Sequence, residues 1–190
     1  MNSVMSVVSD SSFYIAFLSP EEINEPDVLL EILQKYDFLI GKVVLEEISK
    51  KNEEKLERIN FRKHISILDG YDYGALLSVI GYKIFEKGEY ESIAIAYMLL
   101  GKSMLHSLII DDKSAQGWIN RNLPELYSFV RYSLRFLVNS CCNDRSMARK
   151  TIQNVLRNVE LSIHRGYRPF NLSEDNMWMI KELMTEVDEC

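Results

Sequence analysis

The sequence predicts an α/β fold: an α/β/α sandwich around a mainly parallel central sheet, followed by a C-terminal helical extension. Three observations predict it. Short apolar, β-branched runs alternate with segments of helical spacing as far as about residue 124. Beyond Pro124 only helical spacing remains. The chain has 190 residues, 47% of them apolar, enough to bury a substantial core. The expected organisation is a main domain over 1–124 and a helical extension over 125–190 packed on it.

Val4 to Ser9 reads as a buried strand ending at Asp10 and two serines. Pro20 and the glutamates after it open a helix over about Glu21 to Lys35. Phe38 to Ile40 is a short strand. After Gly41, Val43 to Lys51 forms a helix that continues into the charged stretch 52–63. Ile65 to Leu68 is a strand stopped by Asp69 and Gly70. Tyr71 to Glu86 and Gly88 to Leu100 are two helices, with Gly101 as a C-terminal stop. Met104 to Ile110 is a strand closed by Asp111 and Asp112, and Lys113 to Asn122 is a helix. Pro124 then opens a helix whose face carries Leu126, Val130, Leu134, Leu137 and Cys141. Ala148, Ile152, Val155, Val159 and Ile163 line the next helix. Ser173 caps a last one that ends near Val187.

Charge and cysteine content narrow the function. There are 22 basic and 28 acidic residues, a net charge of −6, which excludes a strongly basic coat for nucleic acid. The average hides a contrast: 131–168 carries 8 basic residues against Asp144 and Glu160, within an otherwise acidic chain. No run of 18 apolar residues occurs, so no membrane helix is expected. Met1 to Asp10 has no basic region leading into a long apolar stretch, so no secretory signal is expected either. Three cysteines, an odd number without framework spacing, point to a reduced, cytoplasmic setting.

In a parallel sheet, ligands bind beyond the carboxyl ends of the strands. The residues predicted there are acids from four separate segments: Asp10; Glu46 and Glu47; Glu89 and Glu91; Asp111 and Asp112. Crowded carboxylates repel one another unless some are protonated or a cation holds them together. An all-oxygen donor set without histidine or cysteine selects Mg²⁺ or Mn²⁺ over zinc. Such ions commonly serve phosphoryl chemistry. Against this stands a plainer reading, since acids in a first helical turn are favoured by the helix dipole wherever the helix lies.

The residues themselves carry a resemblance. Val7-Val8-Ser9-Asp10-Ser11-Ser12 and Val44-Leu45-Glu46-Glu47-Ile48 resemble the opening blocks of the PIN-domain nucleases. Gly88-Glu89-Tyr90-Glu91-Ser92-Ile93-Ala94-Ile95-Ala96 and Leu108-Ile109-Ile110-Asp111-Asp112-Lys113-Ser114-Ala115 resemble the closing blocks, in the same order and at similar intervals. The resemblance covers roughly residues 4 to 123. It implies a Mg²⁺- or Mn²⁺-dependent ribonuclease, either a toxin held by an antitoxin protein or an RNA-processing enzyme, and a homodimer.

Residue by residue, the resemblance implies Asp10, Glu47, Glu91 and Asp112 as the catalytic acids. Asp10, Glu91 and Asp112 would be metal ligands with Asp111 assisting, and Ser11 and Ser12 would lie beside the substrate. Glu46 and Glu89 match the pattern less well than their neighbours. The chain departs from the pattern at Gly41-Lys42, where many relatives have proline, and after Asn122, where a helix replaces the expected last strand. An inactive PIN-like scaffold, binding RNA or protein through the extension, is the alternative.

An acidic site needs basic contacts to hold a polyanion. Arg131 and Arg135 on one helix, and Arg145, Arg149 and Lys150 on the next, continued by Arg157, His164, Arg165 and Arg168, are expected to face the cleft and hold phosphates, with Tyr167 or Phe170 stacking on bases. An ordinary solvated face, or pairing with acids of the main domain, explains the same stripe equally well. Other signals carry no function. Gly101-Lys102-Ser103 lacks the earlier glycine of a phosphate loop. Cys141-Cys142 suits core packing, the three histidines are scattered, and Trp118 and Trp178 are expected to pack the extension on the sheet.

Overall fold

The computed structural model describes residues 5–68 and 87–190. Five parallel strands form one sheet: β1 (Ser6–Ser9), β2 (Asp37–Gly41), β3 (Ile65–Leu68), β4 (Leu105–Ile109) and β5 (Val130–Arg131), in the order β3-β2-β1-β4-β5. The helices of the main body are α1 (Ser11–Leu18), α2 (Pro26–Lys35), α3 (Lys42–Arg58), α4 (Lys87–Gly101), α5 (Lys113–Asn122) and the single turn α6 (Pro124–Tyr127). The extension adds α7 (Ser133–Cys142), α8 (Arg149–His164) and α9 (Met177–Glu189). The α/β class is as expected. The helix expected over 71–86 lies outside the described residues.

Strand alternation divides the core in two. Val7, Phe38, Ile40 and Ile109 point to the layer that holds α1, α2 and the extension. Val8, Leu108 and Ile110 point to the layer that holds α4, α5 and α6. The extension is therefore part of a layer: Phe136, Leu137, Val155, Ile180 and Leu183 share one apolar cluster with Phe13, Phe17 and Phe38. Among the described residues, no helix is long and apolar enough to cross a membrane.

The structure corrects four expectations. The segment after Pro124 is not one long helix. It makes a single turn, and Val130 then pairs with Leu108 as edge strand β5, so the sheet runs past residue 124. The helix expected from Glu21 starts at Pro26, whose fixed φ suits the first helical position, after Asn24 takes a left-handed φ of 55°. An unforeseen helix, α1, follows Asp10; its sequence Ser-Ser-Phe-Tyr-Ile-Ala-Phe-Leu is buried on several sides and shows no amphipathic stripe. Cys142 is bonded to Cys190 as a disulfide, tying α7 to the end of α9, while Cys141 is free and buried.

Candidate active site

The carboxyl ends of β1 and β4 put two aspartates on one rim. Asp10 caps α1, where its Oδ1 accepts from Ser12 N at 3.1 Å and Ser12 Oγ at 2.6 Å. Asp112 caps α5, its Oδ1 accepting from Ala115 N at 2.6 Å. Both line a cleft of about 530 Å³ together with Ser11, Ser12, Glu22, Glu47 and Glu89. The far wall comes from the segment after α8, through Arg168, Phe170 and Asn171. Four of the predicted segments thus reach one cleft, and Glu22, between α1 and α2, joins them.

Electrostatics mark the same place. Burial raises the Asp10 carboxyl well above the usual range, and the charge of Asp111 raises it further; the bonds from Ser12 oppose this only in part. Asp111 is raised by desolvation as well. Burial and neighbouring Glu21 push Glu22 up to about 7. A hard divalent cation would relieve all three, and the donors on this rim are carboxylate and hydroxyl oxygens, which suit Mg²⁺ or Mn²⁺. The oxygens are not drawn into a closed cage. Among the described residues, only Cys141, Cys142 and Cys190 bring three potential ligand atoms within 4.8 Å of one another, and two of those sulfurs are spent on the disulfide.

Several predicted residues stand elsewhere. Glu91 is absent from the cleft lining; its carboxylate accepts from Val43 N at 3.2 Å and Val44 N at 2.9 Å at the start of α3, and it is 4% exposed. Burial raises its carboxyl despite those two donors. Glu89, two residues earlier and so roughly 200° around the helix, takes the place facing the cleft. Asp111 does not line this cleft but stays beside Asp10: its Oδ2 accepts from Ser12 Oγ at 3.3 Å, and it also accepts from Ser133 N at 2.8 Å and Ser133 Oγ at 2.6 Å, docking α7 against the end of β4.

Gly41 is required by the packing of Glu91. A Cβ there would lie 2.0 Å from Glu91 Cδ, so glycine leaves the space through which Glu91 reaches α3. Gly88 plays the matching part, since its Cβ would lie 2.4 Å from Glu47 Oε2.

The basic stripe divides. Arg145, Arg149 and Lys150 do not line the cleft. Asp144 and Ser146 accept and share hydrogen bonds with Tyr36, which precedes β2, so their loop lies at the amino ends of the strands. Arg149 donates to Asp188 O in α9, and Arg135 Nη1 donates to both carboxylate oxygens of Glu186, at 2.7 and 2.8 Å. Of the stripe, Arg168 lines the cleft. The expectation that the two tryptophans pack the extension on the sheet is not met: Trp178 is 63% exposed, and Trp118 is buried in the layer of α4, α5 and α6, away from the extension.

Comparisons with family models, with curated proteins and with solved structures return no match for this chain.

Proposed function

We propose that this protein is a Mg²⁺- or Mn²⁺-dependent ribonuclease of the PIN type. One observation carries the reading: Asp10, Glu47, Glu89 and Asp112, from four separate elements, line a single cleft beyond the carboxyl ends of parallel strands. A divalent ion bound there would supply Lewis-acid activation of water and charge neutralisation at the scissile phosphate. Asp10 and Asp112, held in place by their helix caps, would hold it, with Glu47 and Glu89 flanking it. Ser12 fixes the Asp10 oxygen through two bonds. A Glu47 or Glu89 carboxylate in this position accepts a hydrogen bond from the attacking water and orients it. Arg168, on the facing wall, offers the substrate phosphate a positive charge that the acidic rim lacks.

The test is cleavage of end-labelled single-stranded RNA by the full chain in Mn²⁺. Cleavage should stop with chelator, and Asp10→Asn or Asp112→Asn should each lower the rate at least about a hundred-fold, the scale of losing a charge-stabilising group. Chelator-resistant cleavage overturns the reading. A PIN-like scaffold that binds without hydrolysis is the second reading, favoured by the diversion of Glu91 to the α3 backbone. RNA binding with no product in Mn²⁺ would establish it.

A further inference from the structure

We infer that a second cavity, adjoining the acidic cleft, is a nucleobase subsite for the nucleotide next to the scissile phosphate, with Trp178 as its stacking platform. The inference rests on the ribonuclease reading and names how its substrate is held. The cavity measures about 580 Å³ and shares Asp112, Phe170 and Asn171 with the acidic cleft, so the two are neighbours across one ridge. Its remaining wall includes Lys113, Gln116 and Trp178.

Core packing does not account for Trp178. The buried face of α9 is Ile180, Leu183 and Val187, and the indole lies off it at 63% exposure. Of the large apolar side chains exposed among the described residues, Trp178 is the most exposed, and its ring lines this cavity. The ridge is fixed as well. Phe170 and Asn171 both adopt left-handed backbone, at φ 55° and 58°, and the Phe170 ring is buried against Phe13 and Phe17 with centroids 6.3 and 5.8 Å away. That anchoring turns Asn171 outward, where its side chain is exposed and lines both cavities. Gln116 is held by its bond to Ile110 O at 2.6 Å.

The chemistry matches a base better than a run of phosphates. Asp111, Asp112 and Asp175 line the cavity against one lysine, Lys113, so a bare polyanion is disfavoured. A neutral base offers a π face to the indole and polar edges to the amides of Asn171 and Gln116. Lys113 is exposed at the mouth and can meet the phosphate of that nucleotide. An unpaired strand is required, because a base within a duplex has no free face.

The experiment measures binding of fluorescently labelled ten-nucleotide RNA to the full chain, with Ca²⁺ in place of Mn²⁺, alongside intrinsic tryptophan emission. RNA should quench the emission of the unaltered chain; Trp178→Ala should weaken binding about ten-fold or more, the usual loss for one stacked base, and should abolish that quenching. Trp178→Phe should bind within about three-fold, because a phenyl ring still stacks. An unchanged thermal transition in Trp178→Ala shows that the loss is local. Equal affinity of Trp178→Ala and the unaltered chain, in a protein that cleaves RNA in Mn²⁺, overturns the subsite and leaves the nuclease reading standing. Failure of the unaltered chain to bind or cleave RNA overturns both. Quenching of Trp178 by a protein and not by RNA also overturns the subsite.

Discussion

Ionised groups at the rim make stability depend on pH in a defined direction. Glu22 titrates near 7 in the folded protein, above the ordinary carboxyl value of 4.5, so the folded state holds a proton that the unfolded chain has released. The penalty is absent below about pH 4.5, grows as pH rises and is complete above 7. Asp10 and Asp111 act in the same direction. With chelator present, urea unfolding should show stability falling between pH 5 and 7.5. Glu22→Gln should flatten part of that slope, by less than ~1.4 kcal/mol per unit because Glu22 is partly exposed. Added Mn²⁺ should restore stability most at the upper end. At this scale Asp10 and Asp112 are legible in the sequence, since each closes an apolar run that reads as a strand; that Asp10 also caps a helix is not, because α1 has no amphipathic stripe. Glu89 and Glu91 are not separable, because which of two residues faces a rim depends on helix phase that the sequence leaves open. Glu22 sits in a turn with no periodicity to place it.

Between elements, the connection of α3 with α4 is made by an exchange of glutamates over glycines. Glu91 of α4 caps the start of α3 above Gly41, and Glu47 of α3 lies over Gly88 of α4. Gly41→Ala should therefore destabilise the fold by ~2 kcal/mol or more, since the methyl group and the Glu91 carboxylate compete for one space. Glu91→Gln should cost ~1–2 kcal/mol, because the amide nitrogen cannot accept and leaves one of the Val43 and Val44 N–H groups unpaired, while lowering RNA cleavage far less than Asp112→Asn. Chemical denaturation of both variants checks the pair, and a Gly41→Ala protein as stable as its parent refutes the packing account. Strands β1 to β4 could be read from apolar runs bounded by Asp and Gly. The two-residue β5 could not, since its pairing with Leu108 and Ile109 is a tertiary property. Nor could the fate of the arginines: α8 has 16 residues and spans about 24 Å, so one stripe on it cannot bring both ends to the same rim.

For the molecule as a whole, the Cys142–Cys190 bond closes a loop with a sequence separation of 48. Loop-closure entropy puts its contribution at up to ~4 kcal/mol. Dithiothreitol, or Cys190→Ser, should lower the thermal transition without changing helix content, because Ile180, Leu183 and Val187 still pack in the core. An unshifted transition would show that the pairing contributes nothing in solution. The extension also does more than thicken a layer. Phe170 is wedged against Phe13 and Phe17 of α1, the helix that Asp10 caps, and Arg168 and Asn171 beside it form the cleft's far wall. Cutting the chain at 124 would thus leave no self-sufficient domain behind: the remnant would lose a sheet edge, expose a greasy aromatic flank and open its acidic trough to bulk water. A shortened version should come out insoluble and inert, and gel filtration with an RNA digest would show it.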